Sequence, residues 1–287
     1  MGAYLANPLT EKHTITGENA VFEFAASCMQ GWRISMEDAE ISEITFGENE
    51  SLFAVFDGHG GQEVAKFCKA NFGEQLKANE NYKNGNYPLA LKETFFKMDE
   101  ILETPEGQKE MESYRPVDER NQESHAGCTA NVLYINGSTA YIANAGDSRT
   151  VLWSGNKMVE LSVDHKPMDD IEMDRITKAG GWVSMGRVNG NLNLSRAIGD
   201  LEYKRNKQWG PEMQIISAEP DIVTHQINLV QDQFFLMGCD GVWELKHGSE
   251  LCQHAAKKLQ EGESLDKIVE QLLDLGMAED TSSKIFG

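Results

Sequence analysis

The sequence predicts an α+β fold in which antiparallel sheets are covered by helices. Short apolar or alternating runs typical of strands mostly follow one another, without the strict strand–helix alternation of a parallel sheet. Stripes with helical spacing occur in pairs. The chain has 287 residues, 40% of them hydrophobic, which is sufficient for a substantial core. We expect one domain spanning residues 1–287.

Six runs predict strands and four apolar stripes predict helices. The predicted strands are Ala20–Ala26, Leu52–Phe56, Cys128–Ile135, Ala140–Ala143, Val151–Trp153 and Phe234–Met237. The helical stripes contain Val64, Cys68 and Phe72; Leu91, Phe95, Met98 and Leu102; Leu251, Cys252, Ala255, Ala256 and Leu259; and Leu265, Ile268, Val269, Leu272 and Leu273. The polar segment Glu103–His125 predicts a surface loop, and the Gly- and Asn-rich residues 165–213 predict a flap that serves as a lid.

The composition limits the functional classes. The formal net charge is −20, from 26 basic and 46 acidic residues, which argues against nucleic-acid binding because that function requires a basic surface. Five widely spaced cysteines without a Cys-x-x-Cys pair predict reduced thiols, and neither disulfides nor a zinc site. No apolar run approaches the ~20 residues of a transmembrane helix. We expect a soluble monomer in the cytoplasm, the nucleus or both.

The N-terminus leaves one question of lipid attachment. Gly2 stands where N-myristoylation takes place, but that motif prefers Ser or Thr at the sixth position, where this chain has Ala6. Acylation of Gly2 therefore stays an open alternative. A single acyl chain would give only weak membrane contact.

Three predicted strands end in an aspartate with a neighbouring glycine, namely Asp57, Asp147 and Asp240. Each copy alone favours a β-turn, because Asp-Gly is a common turn pair. Three copies together favour a shared acidic site for cations, to which the Gly58 carbonyl can add a ligand. Oxygen ligands favour Mg²⁺ or Mn²⁺ over zinc. His59 can exchange a proton with a group bound there.

Arg33 precedes two adjacent acids, Glu37 and Asp38. This spacing is compatible with an i,i+4 pair on the surface of a helix. Alternatively, Arg33 binds a phosphate bidentately while Glu37 and Asp38 face cations. Spacing alone does not distinguish these alternatives.

Six motifs in this order resemble the type 2C family of metal-dependent protein serine/threonine phosphatases. They are Met29–Arg33 with Glu37–Asp38, Phe56–Gly61, Ala145–Arg149, Asp164–Pro167, Leu194–Asp200 and Cys239–Trp243. The resemblance extends from about Phe24 to about Asp280. The start Met1–Leu5 and the run Glu123–Thr129 are most similar to the gamma-like branch of the family.

This resemblance implies a central antiparallel β-sandwich flanked by helix pairs, with metal ions at one end. It implies dephosphorylation of phosphoserine and phosphothreonine in proteins by water activated between two ions, without a covalent intermediate. The implied ligands are Asp57 bridging both ions, Glu37 and the Gly58 carbonyl on one, Asp240 on the other, Asp38 through water, and Asp147 on a weaker third ion. Arg33 would bind the phosphate, and His59 would be the general acid. Asp164, Arg196 and Asp200 match positions with structural roles around the flap.

Other classes fit the sequence less well. A cysteine-dependent tyrosine phosphatase requires Cys-x₅-Arg, which is absent from the sequence, as is the Gly-Lys pair of a P-loop. An EF-hand would place its ligands in one short loop. The remaining rival is a phosphatase-like binding module with weakened or no activity. The family's closing Asp-Asn motif and last core strand do not follow Met277–Asp280, so Asp280 is not assigned as a ligand and we expect a truncated or divergent chain.

Overall fold

The computed structural model describes residues 4–120 and 123–280. The strands are β1 (Tyr4–Glu18), β2 (Glu23–Arg33), β3 (Ala39–Gly47), β4 (Glu50–Phe56), β5 (Gly58–His59), β6 (Gly127–Cys128), β7 (Ala130–Asn136), β8 (Thr139–Ala145), β9 (Arg149–Ser154), β10 (Lys157–Glu160), β11 (Val183–Ser184), β12 (Arg187–Val188), β13 (Ile198–Gly199), β14 (Asp221–Gln226) and β15 (Asp232–Gly238). The helices are α1 (Glu63–Ala78), α2 (Glu80–Lys83), α3 (Tyr87–Leu102), α4 (Pro105–Ser113), α5 (Asp170–Lys178), α6 (Asp240–Trp243), α7 (Gly248–Gln260) and α8 (Leu265–Gly276).

A five-stranded antiparallel sheet in the order β14-β8-β7-β4-β3 forms the first layer. Side chains alternate across it, so that Val132 and Tyr134 face α1 and α3 while Leu133 and Ile135 face the opposite side. All four are buried. Both faces of this sheet are therefore core, which explains the continuous apolar run of β7.

The second layer consists of two separate antiparallel groups, β1-β2 and β10-β9-β15. Between the layers, Leu133, Ile135 and Leu152 pack with Phe53 and Phe235. On the outer side, α7 and α8 pack against β9 and β15. The resulting order, helices, sheet, sheet and helices, confirms the predicted α+β class with an antiparallel sandwich flanked by helix pairs.

The predicted strands and helices are present, with one displaced boundary, and four strands of at least four residues were missed. The strand predicted from Ala20 begins only at Glu23, because the Asn19 side chain accepts hydrogen bonds from the backbone N–H groups of Val21 and Phe22 (2.9 and 2.8 Å) and holds a turn there. The missed strands are β1, β3, β10 and β14; in β1 and β14 most side chains are polar and most are exposed.

The predicted surface loop Glu103–His125 is wrong in part, because it contains α4. Thr104 caps this helix by accepting a hydrogen bond from the Gly107 backbone N–H (3.0 Å), and Pro105 occupies its first position. A Cβ at Gly107 would lie 1.9 Å from the Ile101 carbonyl oxygen. Local capping thus outweighs the polar composition. Residues 121–122 lie outside the described part of the chain.

The flap-like region, residues 165–213, has more regular structure than its glycine content predicts. It contains α5 and the small β11–β12 hairpin. Ile176, Val188 and Leu194 form a small apolar cluster there, together with Ile216 just after the region. Its role as a lid remains a prediction.

Among the described helices, none combines the length and apolar character needed to cross a membrane. Gly2 lies outside the described ranges, so the structure does not address its acylation.

Candidate active site

The ends of β4 and β15 and the residue before β3 meet at one edge of the sandwich. Asp38 lies beside the end of β4 because Ala39 pairs with Phe56. The backbone of Asp57 is held on both sides by Thr129, whose N–H donates to the Asp57 carbonyl (2.9 Å) and whose Oγ1 accepts from the Asp57 N–H (3.2 Å). Potential ligand atoms of Asp38, Asp57 and Cys239 all lie within 4.8 Å of one another.

The aspartates of this cluster disfavour one another's negative charge. Burial raises the pKa of Asp38 to about 6, although the Cys239 thiol donates a hydrogen bond to it. Burial and the charges of Asp38 and Asp240 raise the pKa of Asp57 well above its usual range. Burial and Asp147 raise the pKa of Asp240. Partly buried carboxylates held this close together are suited to a bound cation, which would stabilise their ionised forms.

Gly58 lies where no side chain would fit. A Cβ at this position would be 2.4 Å from the Glu37 backbone carbonyl oxygen. The Glu37 side chain accepts hydrogen bonds from Ser35 Oγ (2.7 Å) and, weakly, from the Gly61 backbone N–H (3.4 Å). These contacts place Glu37 beside the short β5 strand. Its carboxylate is not part of the group of ligand atoms formed by Asp38, Asp57 and Cys239.

His59 is paired with a carboxylate that is distant in sequence. Its Nε2 donates to Oδ2 of Asp200 (2.7 Å), whose side chain is 1% exposed. A Cβ at Gly127 would lie 2.2 Å from Asp200 Oδ2 and 2.7 Å from His59 Nε2, so this pair requires glycine there. Burial opposes the charged imidazole, but the Asp200 carboxylate outweighs it and raises the pKa of His59. The Nδ1 atom is then left for proton exchange.

Asp147 is buried at the turn between β8 and β9, and Lys166 contacts it at 2.5 Å. Gly146 precedes it with φ +112°, a conformation that favours glycine. The charge of Asp147 acts on both Asp57 and Asp240. Asp147 therefore belongs to the electrostatic surroundings of the cluster, with an ammonium group beside it.

The structure excludes the helical surface pair for Arg33. This residue ends β2, and Glu37 and Asp38 lie in the irregular segment before β3. The exposed guanidinium acts electrostatically on Asp38 and Asp240. It is therefore placed at the open side of the carboxylate cluster.

No site role was predicted for Cys239, Glu244 or Lys166, although Cys239 and Lys166 lie within the motifs that carry the family resemblance, and Asp200 was predicted only to have a structural role around the flap. Cys239 directly precedes Asp240, and burial raises its pKa well above the usual range, so it is a thiol that donates to Asp38. Glu244 follows Asp240 by one helical turn, and burial together with Asp240 raises its pKa to about 7. Helical spacing gave a signal for Glu244. The motifs that contain Lys166 and Asp200 gave no indication of their contacts with Asp147 and His59.

Comparison with known proteins identifies the family. The Protein phosphatase 2C profile matches residues 22–285. Probable protein phosphatase 2C 5 of Paramecium tetraurelia is 52% identical over 282 residues, covering 98% of this chain and 95% of that protein. Protein phosphatase 2C homolog 3 of Schizosaccharomyces pombe is 41% identical over 292 residues, covering 100% of this chain and 67% of that protein.

Solved structures agree on the fold. A phosphatase from Toxoplasma gondii superposes with a TM-score of 0.69 at 22% identity, covering 95% of this chain and 89% of that one. A serine-threonine phosphatase 2C from the same organism gives a TM-score of 0.69 at 18% identity, covering 94% and 92%. The match along nearly the whole sequence, together with this fold, shows that the chain belongs to the protein phosphatase 2C family.

Proposed function

We propose that this chain hydrolyses phosphoserine and phosphothreonine in proteins, with water as the nucleophile and without a covalent intermediate. The observation that carries this proposal is the cluster of three partly buried aspartates, Asp38, Asp57 and Asp240, with the exposed Arg33 close enough to act on two of them. Such a cluster fits two divalent cations, and a guanidinium fits the phosphate that they would bind. Family membership supports the phosphatase activity.

The residues present fit Mg²⁺ or Mn²⁺, because the surrounding donors are mainly oxygens and the one nearby thiol is protonated. In this proposal Asp57, Glu37, Asp240 and the Gly58 carbonyl would supply oxygen ligands to the two ions. Asp38 would contribute through a bound water. When bound, such ions supply Lewis-acid activation of water and neutralise phosphate charge. Asp147 would hold a weaker third ion only in competition with Lys166.

Three side chains of this chain carry the remaining steps. Arg33 binds the phosphate oxygens and orients the phosphorus for in-line attack. His59 donates a proton through Nδ1 to the leaving serine or threonine oxygen, because an alkoxide is a poor leaving group. Asp200 holds the imidazole through Nε2 and favours its protonated form.

We further propose that residues 1–287 form one catalytic domain with a flap at residues 165–213, acting as a monomer in the cytoplasm, the nucleus or both. Phosphoproteins are its expected substrates, and nucleic acids are not, given the net charge of −20. The comparisons give no support to the rival, an inactive phosphatase-like binding module.

The test is turnover of a phosphothreonine peptide with and without Mn²⁺. We expect metal-dependent release of phosphate, and loss of it in Asp57→Asn with little change in the fold. Asp174→Asn is the matched control, because Asp174 is exposed on α5 and pairs only with Lys178 among the described contacts. No turnover by the wild-type chain at saturating Mn²⁺ would reject the proposed function. Normal metal-dependent turnover in Asp57→Asn would reject the assignment of Asp57.

A further inference from the structure

The small three-stranded sheet β13-β6-β5 brings the partner of His59 to the candidate active site. Gly199 pairs with Gly127, and Gly127 pairs with His59, so these residues form one row across the sheet. Asp200 directly follows Gly199 and reaches Nε2 of His59 with its Oδ2 (2.7 Å). The position of the imidazole therefore depends on the backbone at the end of β13.

The Asp200 side chain has little besides His59 to hold it in place. Among the described residues, its Oδ1 atom is buried without a hydrogen-bond partner. Its backbone has the left-handed conformation (φ +49°, ψ +38°), which residues other than glycine rarely adopt and which persists only where neighbouring contacts fix it. One such contact is made by the Asp200 N–H, which donates to the Ala126 carbonyl (3.1 Å). The residues on either side of Asp200 make the others.

Asp99 of α3 fixes these flanking residues from outside the small sheet. Its Oδ1 accepts a hydrogen bond from the Gly199 N–H (2.8 Å), and its Oδ2 accepts one from Lys204 Nζ (2.5 Å). Lys204 also donates to the Ala197 carbonyl (2.7 Å). The segment that carries Asp200 is thus held at three points by one carboxylate and one ammonium group.

The Asp99–Lys204 pair is shielded from solvent, with side chains that are 16% and 7% exposed. Burial raises the pKa of Asp99, while Lys204 and the Gly199 N–H stabilise its charged form. Hydrogen bonds to charged groups are stronger than those between neutral groups. Neither residue is among the proposed ligands of the cations or the phosphate. The role left to these buried charges is to fix the segment between Gly199 and Lys204.

We infer that Asp99 is a positioning residue for His59, acting through Gly199 and Asp200 in the hydrolysis proposed above, on which this role in catalysis depends. Without the contact to Gly199, Asp200 can leave its left-handed conformation, and its carboxylate then no longer holds Nε2 of the imidazole. Nδ1 loses its alignment with the leaving oxygen. Because the effect passes through the imidazole, proton donation should suffer and cation binding should not.

The first test measures turnover by the full chain with Mn²⁺ on a phosphothreonine peptide and on p-nitrophenyl phosphate. We expect Asp99→Ala to slow the peptide ~10–100-fold, a part of the ~10²–10⁴-fold that general acid catalysis contributes, and to change p-nitrophenyl phosphate little. Asp99→Asn keeps an oxygen acceptor for the Gly199 N–H and should recover part of the loss. Glu100→Ala is the matched control, because Glu100 is the next residue of α3 and forms an exposed pair with Lys97 (2.9 Å).

Two further measurements separate positioning from a general effect on the fold. Adding Asp99→Ala to His59→Gln should not slow the peptide further, because a residue that acts through His59 has no effect once the imidazole is removed. The Nε2 proton of His59 should give a proton NMR signal that is absent in His59→Gln, lost in Asp99→Ala and retained in Glu100→Ala. If Asp99→Ala does not fold, Asp99→Leu with Lys204→Met removes both buried charges together, a change that folds tolerate better than the loss of one partner.

Three results would overturn the inference: equal slowing of both substrates by Asp99→Ala, multiplication of the two effects in the double variant, or an unchanged His59 signal in Asp99→Ala. Equal slowing of both substrates by His59→Gln would reject proton donation by His59, and with it the catalytic role of Asp99. Absence of turnover by the wild-type chain would reject the proposed function instead. The NMR signal does not require catalysis, so it would then decide alone whether Asp99 positions the imidazole.

Discussion

Glu172 offers the sharpest test of how the flap region is held together, because its hydrogen-bond partners all lie within residues 165–213. Its carboxylate is 2% exposed, and Oε2 accepts hydrogen bonds from Arg175 Nη1 (2.7 Å) and Ser195 Oγ (2.6 Å). Oε1 accepts from Arg196 Nε (3.0 Å) and Nη2 (2.7 Å). Glu172→Gln would leave two buried guanidinium groups without their shared counter-ion.

The expected loss of folding free energy follows from the pKa of the Glu172 carboxyl group. Burial opposes its ionisation, but hydrogen bonding to Arg196 and the charge of Arg175 outweigh burial and lower the pKa of Glu172 from 4.5 to about 2. At ~1.4 kcal/mol per pKa unit, this shift corresponds to about 3 kcal/mol of folding free energy. Removing one partner of a buried ion pair commonly costs ~3–5 kcal/mol of stability. We therefore expect Glu172→Gln to lose about 3–4 kcal/mol at pH 7.

The stability that Glu172 contributes should decrease as the pH falls. Because the pKa in the folded state is depressed, the contribution of Glu172 is complete above the unfolded-state pKa and is lost as the pH falls towards the folded-state value. The stability difference between wild type and Glu172→Gln should thus be constant from pH 7 to pH 5. At a pH one unit below the unfolded-state pKa, this difference should be smaller by roughly 1.4 kcal/mol than at pH 7.

Urea unfolding followed by far-ultraviolet circular dichroism measures this difference. Asp174→Asn is the control on the same helix, since the Asp174–Lys178 pair is exposed (2.6 Å; side chains 60% and 55% exposed) and should contribute at most ~1 kcal/mol. A Glu172→Gln effect no larger than that of the control would refute the reasoning. So would a difference between wild type and Glu172→Gln that stays constant below pH 4.5.

Two further substitutions test the candidate active site. His59→Gln should slow hydrolysis of alkyl phosphates ~10²–10⁴-fold while slowing p-nitrophenyl phosphate much less, because a good leaving group requires little proton donation; equal losses in a steady-state assay would assign His59 a structural role. Gly58→Ala should weaken Mn²⁺ binding in calorimetry, since the new Cβ would lie 2.4 Å from the Glu37 carbonyl. Gly241→Ala is its control, with the nearest contact 3.7 Å away at Cys239 Sγ, and equal affinities in the two variants would contradict this explanation.

The fold was predictable where the side-chain pattern reflects burial on a regular element. β7 is buried on both faces and α3 on one, so both gave strong apolar signals. β1 gave no such signal, because its side chains are mostly polar and each is either exposed or only partly covered. In α4 the Thr104 cap and Pro105 specify a helix within a polar segment, so composition alone was misleading.

The same distinction applies to the candidate site: residues that end a regular element could be predicted, and contacts between distant segments could not. Asp57 and Asp240 end apolar strands, and that local pattern predicted both positions. The pairing of His59 with Asp200 spans 141 positions in the sequence and depends on the left-handed backbone at Asp200 (φ +49°) and on the missing side chain at Gly127. Such a contact is created by tertiary structure and has no local sequence signal.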